Sequence, residues 1–171
     1  MFAKLLNVSS LRFFSFLPFF ASVLMLAYAY YEQYVNYLEP CPLCLTQRFV
    51  IMLIGFLFFL TFIYPPQKWF RKVMGFLIAI VSLAGAAVSA RHVYLQHLPA
   101  DEVPACGPGL EYMLQNLPLG DVFHNLFSGS GECAEIVWRF LGLTMPEWTF
   151  ITFIGFFFYT ILWTLQKKRV H

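Results

Sequence analysis

Apolar residues dominate four runs of this chain, residues 13–31, 45–64, 73–90 and 149–165. Within them there is neither strand-like alternation nor one polar helical face. Each run is close to the ~20 residues that, at ~1.5 Å rise, cross a hydrocarbon layer of ~30 Å. The pattern predicts four membrane-spanning helices in a single all-α domain covering 1–171. Between the second and third runs, Pro65-Pro66 stops a helix and leaves a short connection. Polar sequence concentrates in two loops on the opposite side, about 32–44 and 91–148. In the longer loop, Leu110, Leu114 and Leu117, then Leu119, Val122, Phe123 and Leu126, recur at near-helical spacing broken by Pro118. Two short helices lying in the membrane interface are expected there, because the loop is too small to build a core of its own.

Composition narrows the solvent. Of 171 residues, 60% are hydrophobic and 12% charged, with 21 phenylalanines, and the mean hydropathy is +0.67. A soluble domain of this length needs more polar surface, so a lipid bilayer is the expected surrounding.

The charges set an orientation. Lys4, Arg12, Lys68, Arg71, Lys72, Lys167, Lys168 and Arg169 all fall on one side of a four-span topology. All nine acidic residues fall on the other, with Arg48, Arg91 and Arg139. Basic flanks stay in the cytoplasm, so both termini are expected inside. Lys4 and Arg12 ahead of an apolar run ending in Ala27-Tyr28-Ala29 also resemble a secretory signal. The run is long for that role, and an uncleaved first span is expected. Nothing in this distribution calls for a nucleic-acid partner.

Four cysteines, Cys41, Cys44, Cys106 and Cys133, all fall on the outer side of this topology. An even number in an oxidising compartment implies disulfides, and four cysteines allow three connectivities. Cys41–Cys44 with Cys106–Cys133 is the favoured one. A C-x-x-C bridge closes so small a loop that it stabilises little, which points to electron exchange. A four-cysteine zinc site is the rival; zinc ribbons carry two C-x-x-C pairs and this chain has one, so no metal is expected. Cys106 sits in the Pro/Gly-flanked "VPACGPGL" and Cys133 in "GSGECAEIVWRF", before an expected helix start. That position would lower the Cys133 thiol pKa and make it the better leaving group.

Pro40 and Pro42 hold Cys41 outside the second span, with Cys44 in its first turn, where the helix N-terminus favours a thiolate. Arg48 lies four residues on, hence on the same helical face. A guanidinium at membrane depth is costly without a task. Thiolate and guanidinium together suit a lipid-soluble acceptor whose carbonyl oxygens become negative on reduction, such as a quinone. His92 opens the outer loop after the third span, and its bearing depends on whether it meets Arg48.

The chain resembles the DsbB family of quinone-dependent thiol oxidases over nearly its whole length. The resemblance is carried by "PCPLCLTQR", "ACGPG", "GECAE" and "LGLTMPEW". It implies a four-helix bundle in the bacterial inner membrane, with outer loops in the periplasm. Cys41 and Cys44 would be the quinone-side pair, Cys44 nearest the quinone. Cys106 and Cys133 would face the partner, a periplasmic DsbA-like thioredoxin-fold oxidase, with Cys106 forming the mixed disulfide. Arg48 and His92 fall where the family lines its quinone site, and the cofactor is ubiquinone or menaquinone. A non-catalytic tetraspan protein braced by structural disulfides is the alternative.

Overall fold

The computed structural model describes residues 2–64, 67–99, 101–104, 112 and 115–165, with side chains described from residue 13 except at 119 and 123–126. Four long helices dominate: α1 (Phe2–Val35), α2 (Pro42–Ile63), α3 (Lys68–Gln96) and α5 (Met145–Leu165). Between α3 and α5 stand a short helix α4 (Leu119–Ser128), a 3-10 turn (Gly131–Ala134) and a two-residue-stranded hairpin, β1 (Arg139–Phe140) with β2 (Leu143–Thr144). All four long helices are long and apolar enough to cross a membrane. Phe13, Leu17, Phe49, Phe76 and Leu162 are more than half exposed on them. Only lipid makes so many outward apolar side chains tolerable.

Each expected span matches a longer helix, the second ending one residue early because Tyr64 is the cap of α2. At the loop end the difference is largest for α3, which continues to Gln96 instead of stopping at residue 90. His92 is therefore a buried helical residue one turn from the α3 C-terminus, not the opening of a loop. Of the two expected interfacial helices, the second is α4; of the first, about residues 110–117, positions 110, 111, 113 and 114 lie outside the described residues.

The helices pack in the order α1–α2–α3–α5. Small residues allow close approach, as membrane helices require without a hydrophobic drive between them. Gly85 faces the Phe153 ring and Gly75 faces Thr164, drawing α3 against α5, while Gly55 meets Ser22 between α2 and α1. The central core is Ile51, Ile54, Phe58, Ile78, Ala86, Phe153 and Phe156. Some buried hydroxyls bond within their own helices, Ser22 donating to the Pro18 carbonyl (2.9 Å) and Thr160 to that of Phe156 (2.7 Å).

Two starts matter for the site. Cys41, extended at φ −66° and ψ 165°, caps α2, and Pro42 takes the first helical position where its missing N–H costs nothing. The α5 start, T-M-P-E, forms one half of a capping box: the Thr144 N–H donates to Glu147 Oε2 (2.6 Å), while the Thr144 hydroxyl donates to Gln96 Oε1 (2.9 Å). The second bond ties the α5 start to the α3 end.

Candidate thiol relay and adjoining pocket

A second cluster of buried residues, Cys41, Leu43, Leu95 and Cys133, sits at the loop end of the bundle. Cys41 is its hub. Its sulfur lies 3.1 Å from that of Cys44 and 3.7 Å from His92 Nε2. The Cys41 and Cys133 sulfurs and a His92 ring nitrogen all fall within 4.8 Å of one another. The three described cysteines are free thiols, and Cys106 lies outside the described residues.

Cys133 arrives by a route with little tolerance. Gly129, at φ +77°, passes so close to the packed Leu43 and Leu95 side chains that a Cβ would stand 2.7–2.8 Å from them. Only glycine suits both that backbone region and that approach. The following turn then seats Cys133, fully buried, on α2 and α3.

The expected helix start at Cys133 is not there. A four-residue 3-10 turn replaces it, followed by extended chain, so no helix dipole supports a thiolate. Contact with Cys41 and then burial instead push the Cys133 thiol well above its ordinary value. At Cys41 the Cys133 side chain acts to lower the value, but the Cys44 sulfur and burial outweigh it and the thiol is pushed up to about 12. Contact and burial thus override chain position, and the lowered pKa expected to make Cys133 the better leaving group is not found.

Cys44 looks the other way. With Arg48, Gln47 and Ile51 it lines a partly open cavity of about 260 Å³, bounded by Met25, Tyr28 and Ala29 of α1, by Met145, Trp148, Thr149 and Thr152 of α5, and by Trp138. A cavity of ~150 Å³ accommodates benzene, so this one has room for a substituted ring. The Trp138 indole meets Tyr28 edge-on at 6.1 Å and stacks on Phe140 at 6.0 Å. Trp148 Nε1 donates to the Phe140 carbonyl (3.1 Å). The hairpin therefore holds two tryptophans at the pocket.

Arg48 reaches across to α1. Its guanidinium donates to the Ala29 carbonyl (3.0 Å) and to Gln33 Oε1, and lies 5.3 Å from the Tyr30 ring centroid. These partners are neutral, so they orient the cation without cancelling its charge. His92 does not line the pocket; it stands behind Gln47, whose Nε2 lies 3.2 Å from His92 Nδ1. Gln47 Oε1 in turn accepts from the Thr149 hydroxyl (2.9 Å).

Sequence reasoning singled out Cys41, Cys44, Arg48, His92 and Cys133, and these gather at one end of the bundle. It missed Gln47, Thr149, Trp138 and Gln33. A polar glutamine inside an apolar run, three residues after Cys44, was the available signal. Thr149 and Trp138 carried none, because their relevance depends on distant packing. The buried group Cys41, His92 and Cys133 is also a soft-metal donor set, although closing a disulfide would consume its thiols.

Known proteins place this geometry in a family. The family described as "Disulfide bond formation protein DsbB" matches residues 11–163. A Disulfide bond formation protein B of Nitrosococcus oceani is 50% identical over 145 residues, covering 85% of this chain and 86% of the relative. That of Hahella chejuensis is 47% identical, covering 90% and 92%. The protein of the same name from Saccharophagus degradans is 43% identical, covering 96% and 99%. A buried dithiol beside a third cysteine, at one end of four spanning helices, is the chemistry that name describes, and the chain belongs to the DsbB family of disulfide bond formation proteins.

Proposed function

We propose that this protein is a thiol:quinone oxidoreductase of the bacterial inner membrane that reoxidises a periplasmic DsbA-like dithiol oxidase. The observation that carries the reading is the placement of the dithiol between two environments. Cys41 contacts the loop cysteine Cys133, while Cys44 opens onto the apolar cavity beside Arg48. In this reading a partner thiolate attacks the Cys106–Cys133 disulfide at Cys106 and frees Cys133. Cys133 attacks Cys41 of the Cys41–Cys44 disulfide and expels Cys44 as a thiolate at the cavity.

The cavity residues fit a quinone. They offer flat aromatic walls and a cation whose neutral partners leave its charge available. A bound quinone would supply the two-electron acceptor. Such an acceptor is needed: DsbA has a potential of about −120 mV, and an ordinary structural disulfide below about −300 mV could oxidise it only at a cost of over ~8 kcal/mol. The DsbA–DsbB–quinone relay is what keeps the bacterial periplasm oxidising. Cytoplasmic termini and periplasmic cysteines complete the reading, supported by the charge distribution.

Purified protein mixed with ubiquinone or menaquinone and a reduced DsbA-like protein tests the proposal. One quinone should be reduced per partner disulfide formed. Mixed disulfides without quinone loss would rule out quinone as the acceptor, and no mixed disulfide would leave a structural tetraspan protein.

A further inference from the structure

Gln47 is nearly inaccessible, sits among apolar residues of α2, and touches both the cavity and His92. Its contacts have a direction. The Thr149 hydroxyl lies 2.9 Å from Gln47 Oε1, Gln47 Nε2 lies 3.2 Å from His92 Nδ1, and His92 Nε2 lies 3.7 Å from Cys41 Sγ. Cys41 Sγ in turn is 3.1 Å from Cys44 Sγ. An amide N–H facing Nδ1 makes that nitrogen an acceptor, which puts the ring hydrogen of a neutral imidazole on Nε2.

We propose that Gln47 is a positioning residue that fixes His92 as its Nε2–H tautomer, so that His92 donates to Cys41 and the chain of donors ends on Cys44. The inference rests on the reading of Cys41–Cys44 as a redox pair. When that disulfide is reduced, two electrons enter the S–S bond, one sulfur takes a proton and the other remains a thiolate. The His92 N–H and the Cys41 S–H then point toward the sulfur carrying the charge. This favours the reduced pair and directs its negative charge to the thiol at the cavity. The Thr149 hydroxyl has one hydrogen and also lies 2.9 Å from the Pro146 carbonyl, while Ser89 Oγ lies 3.3 Å from Thr149 Oγ1. The opposite amide orientation would put the ring hydrogen on Nδ1, so the tautomer is the decisive observable.

The test uses quinone-free protein in detergent. Nitrogen-15 NMR of histidine-labelled protein, with the His92 signal identified by its loss in His92→Phe, should show Nε2–H; an Nδ1–H ring overturns the proposal. The Cys41–Cys44 pair is then equilibrated with glutathione in protein lacking Cys106 and Cys133. Gln47→Met should shift this equilibrium about two- to tenfold toward the disulfide, the worth of the one neutral hydrogen bond from His92 to Cys41. In His92→Phe the same change should have no further effect. Gln47→Glu, whose carboxylate holds both ring nitrogens protonated, should keep the wild-type equilibrium and show an imidazolium, a readout that stands if Gln47→Met does not fold. A Gln47→Met effect of equal size with and without His92, or a neutral ring in Gln47→Glu, overturns the assignment. A wild-type pair that does not equilibrate with glutathione contradicts the redox reading itself.

Discussion

In the proposed function, Arg48 and the cysteines carry the chemistry at the scale of single residues. The Arg48 guanidinium is held by the Ala29 carbonyl and Gln33, so its position beside the cavity is fixed by α1 and not by the loop. Arg48→Met removes a charged hydrogen-bond donor, worth ~1.5–3 kcal/mol or roughly 10–150-fold. The quinone KM should rise by about that factor with the partner KM nearly unchanged. Lysine should rescue in part, keeping the charge without the planar fork. A defect confined to partner KM would reduce Arg48 to a helix anchor. Cys41 and Cys133 make a second prediction. Both thiols are raised, Cys41 to about 12 from an ordinary 9.0. In the folded reduced protein their alkylation rates should keep climbing about tenfold per pH unit beyond pH 9, where an unfolded thiol levels off. The same raised values mean that stability of the reduced fold is complete below pH 9 and is lost as pH rises toward 12. A plateau near pH 9 in the folded protein would contradict this.

Among the elements, the approach to Cys133 is the most constrained. Gly129→Ala places a methyl group against Leu43 and Leu95 and strains a left-handed backbone by ~1–2 kcal/mol, so the turn bearing Cys133 should lift. In a Cys44→Ser, Cys106→Ser background, oxidative trapping of the Cys41–Cys133 disulfide should slow by at least about tenfold. An unchanged trapping rate would mean that the turn reaches Cys41 by another path. The long helices were legible in the sequence because lipid imposes one uniform requirement, about twenty apolar residues, that no tertiary contact overrides. The Pro-Cys-Pro start of α2 was legible for an equally local reason. The extra turn of α3 was not. Arg91 and His92 read as loop polarity, yet Gln47 and Cys41 sit against the buried imidazole. The hairpin was missed because its two-residue strands leave no period, and its turn places Leu141, at φ 52°, where glycine would be expected.

In the proposed reading the whole molecule is a conduit: loop cysteine at one side, dithiol at the hub, cavity behind it. Eight basic residues flank the ends of the spans away from the cysteines. Reporter fusions after Lys72 should read as cytoplasmic and fusions within 101–131 as periplasmic; a cytoplasmic signal from the second site would defeat the relay. The Cys41, Cys44 and Arg48 part of the site was legible because it is contiguous in sequence. The seating of His92, Cys133, Thr149 and Trp138 around it was not, because it arises from packing between residues up to a hundred positions apart. The most direct test of the central claim follows the disulfides in time. Oxidised, quinone-loaded protein is mixed with one equivalent of reduced DsbA-like partner, quenched with acid and mapped by mass spectrometry. A Cys41–Cys133 linkage should appear after the partner–Cys106 adduct and before quinone absorbance falls. Quinone reduction with no Cys41–Cys133 linkage, or with Cys133 joined to Cys44 instead, would contradict the account.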